Sequence, residues 1–259
     1  MNSPVLNISK LSFGYNNRLA EKTWVIRELN LSVSKGEIVC ILGASGCGKS
    51  TLLNLIEGLL QPISGEIQIV SNADRKRPIG YIFQQDPLLP WRTVESNLML
   101  VTDLSQETSK IDARENIKQY LETFNLNQEI LQKYPSQLSG GMRQRVSIIQ
   151  SLMFNPDLIL LDEPFSALDF FTKLKLESEF CHLITQKEKS AILVTHDIEE
   201  AVAMGNRVLI MNTDGALIKS FEIEKSVEFG SPENARGTAK FAEYYRLIWS
   251  ELKAVISNE

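Results

Sequence analysis

The 259-residue sequence predicts an α/β fold: a core of buried strands with a β-rich first stretch and an inserted, mostly helical lobe. Three observations carry this. Short apolar runs (EIVCIL at 37–42, LILL at 158–161) have the length and continuity of strands buried on both faces. Nearer the N-terminus, apolar residues alternate with polar ones, as in half-buried strands. Between residues 87 and 155 the apolar period changes to that of helices.

In chain order, Leu11 with Phe13, and Leu29, Leu31 and Val33, mark the first strands, and the run 37–42 enters a glycine-rich loop. Residues 51–60 then read as helix, residues Ile67 and Ile69 as strand, and 80–84 as another strand. Ile117, Tyr120, Leu121 and Phe124 form a helical stripe, as do Val146, Ile149 and Met153, with Pro156 expected to end that helix. Strands resume at 158–161 and 191–195 around a helical stretch. Residues 212–215 (NTDG) predict a hairpin, and Phe241, Tyr245, Ile248 and Leu252 predict a helical tail with one apolar face. The whole divides into a single domain, 1–259. Its α/β core with β subdomain spans 1–86 and 156–225, its helical lobe 87–155, and its tail 226–259.

Composition is ordinary for a globular chain, at 43% hydrophobic and 23% charged. A net charge of −5 supplies no general positive field for nucleic acid. No apolar run approaches the ~20 residues of a membrane helix, and residues 1–7 show no leader pattern, so neither a span nor a signal peptide is expected. Cys40, Cys47 and Cys181 lack CxxC spacing, which predicts reduced thiols, and His182 and His196 alone cannot build a zinc site.

Residues 43–50 (GASGCGKS) fit G-x-x-x-x-G-K-[ST] between a strand and a helix. Such glycines let backbone N–H groups converge on a triphosphate, and the helix adds its positive end. Lys49 is expected to reach the β- and γ-phosphates and Ser50 to ligate Mg²⁺. Cys47, with no histidine near in sequence, reads as a passive loop residue. The run 158–161 delivers Asp162 and Glu163 to a strand's C-terminal end, where parallel sheets place ligands. Asp162 then serves Mg²⁺, and Glu163 polarises the attacking water. His196 ends the next buried strand in the same way; it either contacts the γ-phosphate or is structural. Ser139, Gly140 and Gly141 open a helix, and read either as an anion site or as a plain cap.

Taken together these words resemble the ATP-binding cassette (ABC) ATPases over nearly the whole chain. By that resemblance residues 43–51 are the Walker A loop (Gly43, Ser45, Gly46, Cys47, Gly48, Lys49, Ser50 and Thr51 on nucleotide), residues 138–146 the signature, and residues 158–163 Walker B. Asp169 resembles the D-loop aspartate, His196 the switch histidine, Gln84 the Q-loop glutamine that also serves the metal, and Tyr15 the adenine-stacking aromatic. Tyr15 as a core tyrosine stays open beside it. The resemblance implies an α/β P-loop NTPase ABC cassette, a RecA-like core with an antiparallel β subdomain and an inserted helical subdomain, using ATP and Mg²⁺. Glu163, His196 and Lys49 would act in catalysis. Two cassettes would sandwich two ATP molecules, each held by one chain's Walker motifs and the other's signature.

A finer resemblance lies in Leu88, Leu89, Pro90 and Trp91, followed by Arg92 and Val94, and in the tail's Ile248, Trp249 and Leu252. They resemble the importer subfamily for nitrate, sulfonates and taurine, in which this region faces a permease; the alternative is that Leu88, Leu89 and Trp91 anchor the lobe internally. The expected partners are a second, identical ATPase chain, integral membrane permease subunits and indirectly a solute-binding protein, with no nucleic acid. The expected place is the cytoplasmic face of the membrane. A soluble non-transport ABC ATPase and an exporter subunit are the alternatives. The chain departs from the family at Gln150, where an arginine is usual, and in its apolar pair Phe170 and Phe171.

Overall fold

The structure, a computed structural model, describes residues 4–16, 22–70, 79–104, 109–225 and 229–257. The expected start of the tail at 226 and residues 1–3 of the leader reading lie outside the described residues.

Two sheets organise the chain. In the smaller, β1 (Pro4–Asn16) lies between β2 (Lys22–Ser34) and β4 (Ser64–Ile69), antiparallel to both, with Ile8 opposite Leu31 on one side and Ile67 on the other. The larger has six strands. Its order is β5 (Ile79–Ile82), β6 (Leu158–Asp162), β7 (Ser190–Thr195), β3 (Ile38–Gly43), β8 (Arg207–Met211), β9 (Leu217–Glu222). All its pairings are parallel except β8 with β9, the expected hairpin, closed by Asn212 N–H on Ala216 O at 3.0 Å.

Every residue of β3 and β7 is buried, and alternation within the run sorts side chains to the two faces. Cys40, Leu42, Ile159, Leu161 and Leu193 join the core beneath most of the helices. Val39, Ile41, Leu158, Leu160, Ile192 and Val194 join the core shared with the small sheet and α1 (Lys49–Glu57). Each such side chain contributes about 1.5–3 kcal/mol through burial.

The helices of the region between β5 and β6 are α2 (Val94–Leu98), α3 (Leu100–Leu104), α4 (Lys110–Thr123) and α5 (Gly140–Leu152). After β6 come α6 (Phe170–Gln186), α7 (Ile198–Met204), α8 (Pro232–Ala235) and the amphipathic α9 (Ala239–Ser257), which buries Phe241, Ile248 and Leu252. Among the described residues no helix is long and apolar enough to cross a membrane.

Some boundaries differ from expectation. Helix α1 starts at Lys49 rather than at 51, because Gly48 makes the left-handed turn (φ 104°) that launches it. It stops at Glu57, capped by left-handed Gly58. Helix α5 ends at Leu152, before Pro156 acts, in a turn where Asn155 takes φ 49°. Strand β5 stops at Ile82, leaving Gln84 in the loop beyond it.

The topology places the site. Adjacent parallel strands β5, β6, β7 and β3 all end on one side. They release there, in that order, Gln84, then Asp162 with Glu163, then His196, then the loop from Gly43.

Candidate nucleotide site

The loop is built from close approaches. A Cβ on Gly43 would stand 2.6 Å from Met211 O and 2.7 Å from Cys47 Sγ, so only glycine fits beside β8. No side chain caps α1 and its first turn holds no acidic residue, an arrangement suited to an anion. Lys49 is buried, and its Nζ donates to Gly43 O and Ala44 O, both at 2.8 Å, with Cys47 Sγ at 3.8 Å. The lysine thus ties the loop's first two carbonyls to the first turn of α1. Cys47 is buried, and burial raises its thiol pKa against the pull of Lys49. Ser45 and Gly46 are exposed and Thr51 half-buried.

Ser50 Oγ donates to Asp162 Oδ1 at 3.0 Å, and Tyr81 OH to Oδ2 at 3.4 Å. Burial raises the Asp162 pKa, while the Ser50 and Tyr81 hydrogen bonds oppose that rise. Sequence reasoning missed Tyr81. Its only signal there was a polar-tipped aromatic inside an apolar strand, and its ring also stacks on Phe83 at 4.3 Å.

Glu163 lies one residue past β6, with its N–H on Val194 O at 3.0 Å and φ at 45°, left-handed for a non-glycine residue that precedes a proline. Its Oε2 is 3.0 Å from His196 Nδ1, and the His196 side chain is largely exposed. Two residues 33 positions apart meet as a pair. Gln84 is exposed, and among the described residues no hydrogen bond ties it to Ser50 or Asp162.

Ser139 caps α5, accepting from Met142 N–H at 3.3 Å, and is exposed beside Gly140. A Cβ on Gly141 would stand 2.7 Å from Thr172 Cγ2, so the start of α5 packs on the start of α6. Asp169 caps α6; its hydrogen bond from Thr172 lowers its pKa. Phe170 and Phe171, both exposed, pack edge to face on each other just beyond. Among the described residues no hydrogen bond or ion pair joins the stretch 139–141 to the loop 43–51.

Tyr15, at the end of β1, is 50% exposed and meets Phe13 edge to face. A stacking role predicts that Tyr15→Ala weakens ATP about fivefold by calorimetry, for a stacking contribution of about 1 kcal/mol, while Tyr15→Trp keeps it. Equal loss in both variants would assign the ring to packing instead.

Leu88 is buried and Trp91 is 72% exposed, so these two apolar neighbours part ways. The loop carrying them is pinned by Asn97, which sequence reasoning missed. Its buried amide accepts from Leu89 N–H at 2.8 Å and donates to the carbonyls of Leu89, Arg92 and Thr93. Gln150, the departure in α5, donates to Asn97 O at 3.2 Å.

A glycine loop entering a helix, with an acidic pair two strands along and all on the C-terminal side of a parallel sheet, defines a P-loop nucleotide-binding protein. The ABC transporter family profile matches residues 26–166. The chain belongs to the ABC transporter family, and it is an ATPase. Similar proteins include the uncharacterized ABC transporter ATP-binding protein YtlC of Bacillus subtilis, 41% identical over 243 residues, covering 92% of each chain. The aliphatic sulfonates import ATP-binding protein SsuB of Bacillus cereus is 36% identical, covering 88% of each. The nitrate import ATP-binding protein NrtD of Synechococcus elongatus is 37% identical, covering 86% of this chain and 81% of its own. Among solved structures, the dimeric ABC transporter cassette MJ0796 superposes with TM-score 0.74 at 31% identity, covering 85% of this chain and all of that one.

Proposed function

We propose that this chain powers import of a small solute, of the nitrate, sulfonate or taurine class, as the ATPase subunit on the cytoplasmic face of a membrane permease. Two copies would close around two ATP molecules. The observation that carries the dimer is a mismatch within one chain: each motif occurs once, and 139–141 opens its own helix with no bond to the loop 43–51 among the described residues. A signature that makes no bond to its own loop has a use when it serves another copy's. The solved dimer of MJ0796 supports that arrangement. The sulfonate and nitrate relatives, with the exposed Trp91 on a pinned loop, support the importer reading.

In this reading Gly43, Ser45, Gly46, Cys47, Gly48 and Thr51 line the phosphates through the backbone and first helical turn, and Lys49 moves from its own carbonyls onto the phosphate oxygens. Ser50 and Asp162 fit Mg²⁺: a hydroxyl and a carboxylate oxygen 3.0 Å apart are hard donors of the kind it takes. Gln84 would reach it from the neighbouring strand end. When bound, the ion offsets phosphate charge. Glu163 takes the proton of the attacking water, and His196 holds Glu163 and senses the γ-phosphate. Ser139, Gly140 and Gly141 address the partner copy's nucleotide, with Asp169 beside them.

The test is the ATPase rate of the purified chain against its concentration. Shared sites require the rate per chain to rise with concentration before levelling off. A constant rate per chain down to nanomolar would contradict them.

A further inference from the structure

One ionic cluster brackets His196, and it reaches to Arg236, just past α8 in the C-terminal segment. Lys173, one turn into α6 from Asp169, donates to Asp197 Oδ2 at 2.6 Å and to Glu200 Oε2 at 3.1 Å. It also stands 3.9 Å from Glu177 Oε1. Asp197 follows His196 directly and caps α7, its Oδ1 accepting from the N–H groups of Glu199 at 2.8 Å and Glu200 at 3.3 Å. Thr195, on the other side of His196, donates to Glu200 Oε2 at 2.9 Å and accepts from Asp197 N–H at 3.0 Å. His196 is therefore held from both sides by groups that depend on Lys173.

Lys173 faces three carboxylates with one ammonium. Glu177 is 0% exposed, and its second oxygen is answered from α8: Arg236 Nη2 donates to Oε2 at 2.7 Å while Nη1 anchors on Pro232 O at 2.8 Å. Arg236 Nε is 3.7 Å from Glu199. The charged groups facing Glu177 are thus Arg236, Lys173 and Glu200. Burial raises the Glu177 pKa to about 7, with Arg236 pulling it down. Burial lowers the pKa of Lys173, but Glu200 and Asp197 outweigh that and raise it overall. A fully buried carboxylate deprived of its guanidinium must take a proton or find another cation, and Lys173 is within reach.

We infer that Arg236 is a positioning residue for hydrolysis. By holding Glu177 it leaves Lys173 to Asp197 and Glu200, and so fixes His196 against Glu163. The C-terminal segment thereby governs turnover without touching nucleotide. The inference rests on Glu163 and His196 being the hydrolytic pair.

The full-length chain is assayed from about pH 7.5 to 9.5, at a concentration where the rate per chain has levelled; losing Arg236 removes a charge that lowers the Glu177 pKa, so the defect of Arg236→Met should deepen as rising pH ionises Glu177. Arg236→Met is expected to lower kcat about tenfold to a hundredfold, the scale of a misplaced catalytic group. KM for MgATP and the ADP affinity from calorimetry should stay within about twofold, below what a lost charged contact costs. Adding Glu177→Gln removes the competitor for Lys173 and should restore kcat to within about twofold of the starting protein. That double variant leaves no unpaired buried charge, so it reports even where Arg236→Met alone does not fold. Full kcat in Arg236→Met, or a double variant still slow, overturns the inference. His196→Ala separates the two levels. Its loss of turnover beside an unaffected Arg236→Met defeats only the positioning role; undiminished turnover in His196→Ala defeats the hydrolytic pair itself.

Discussion

Glu163→Gln is expected to lower turnover by about 10²–10⁴-fold, the range general-base catalysis supplies, while ATP still binds. The carboxamide keeps the size and the reach toward His196, now 3.0 Å away, but cannot take the water's proton. Bound ATP should then persist, and the chain should run as a dimer on size exclusion in MgATP. Single-turnover and calorimetric measurements check both halves. A variant that is monomeric in MgATP and hydrolyses at the original rate removes Glu163 from the role of base.

Lys49→Ala is expected to act on binding. The ammonium is buried, with two carbonyls 2.8 Å away that the proposed role would have it exchange for phosphate oxygens. A hydrogen bond to a charged group contributes about 1.5–3 kcal/mol, so ATP affinity should fall by about 10–150-fold by calorimetry. Unchanged affinity would show that the loop's backbone alone holds the phosphates. The two variants thus separate the steps: one keeps nucleotide and loses hydrolysis, the other loses nucleotide.

Much of the core was legible because its signals are local. An all-apolar run cannot be other than buried, so β3, β6 and β7 announced themselves, and their order along one sheet edge gathers Gly43, Asp162, Glu163 and His196. Boundaries were less legible. Residues 49 and 50 carry no apolar periodicity, yet they are the first turn of α1 because Gly48 sets the chain's direction. In the loop 88–92 proline removes any period, so nothing in the sequence distinguishes buried Leu88 from exposed Trp91; the distinction comes from Asn97, whose bonds form only in the folded lobe. The cluster around Glu177 was mostly illegible, since only Lys173, four residues before it on the same helix, is local to it. Its partner Arg236 lies 59 positions away, and single charged residues at that spacing leave no pattern to read.

The backbone at Glu163 bears on how the protein tolerates change. A side-chain-bearing residue held at φ 45° ahead of a proline costs about 1–3 kcal/mol, and the same backbone would be free of that cost with glycine. With Glu163 as the proposed base, resistance to heat and capacity to hydrolyse would favour opposite residues at this one position. Laboratory evolution that screened this chain for melting temperature alone would drift toward a sturdier protein that holds ATP and never spends it.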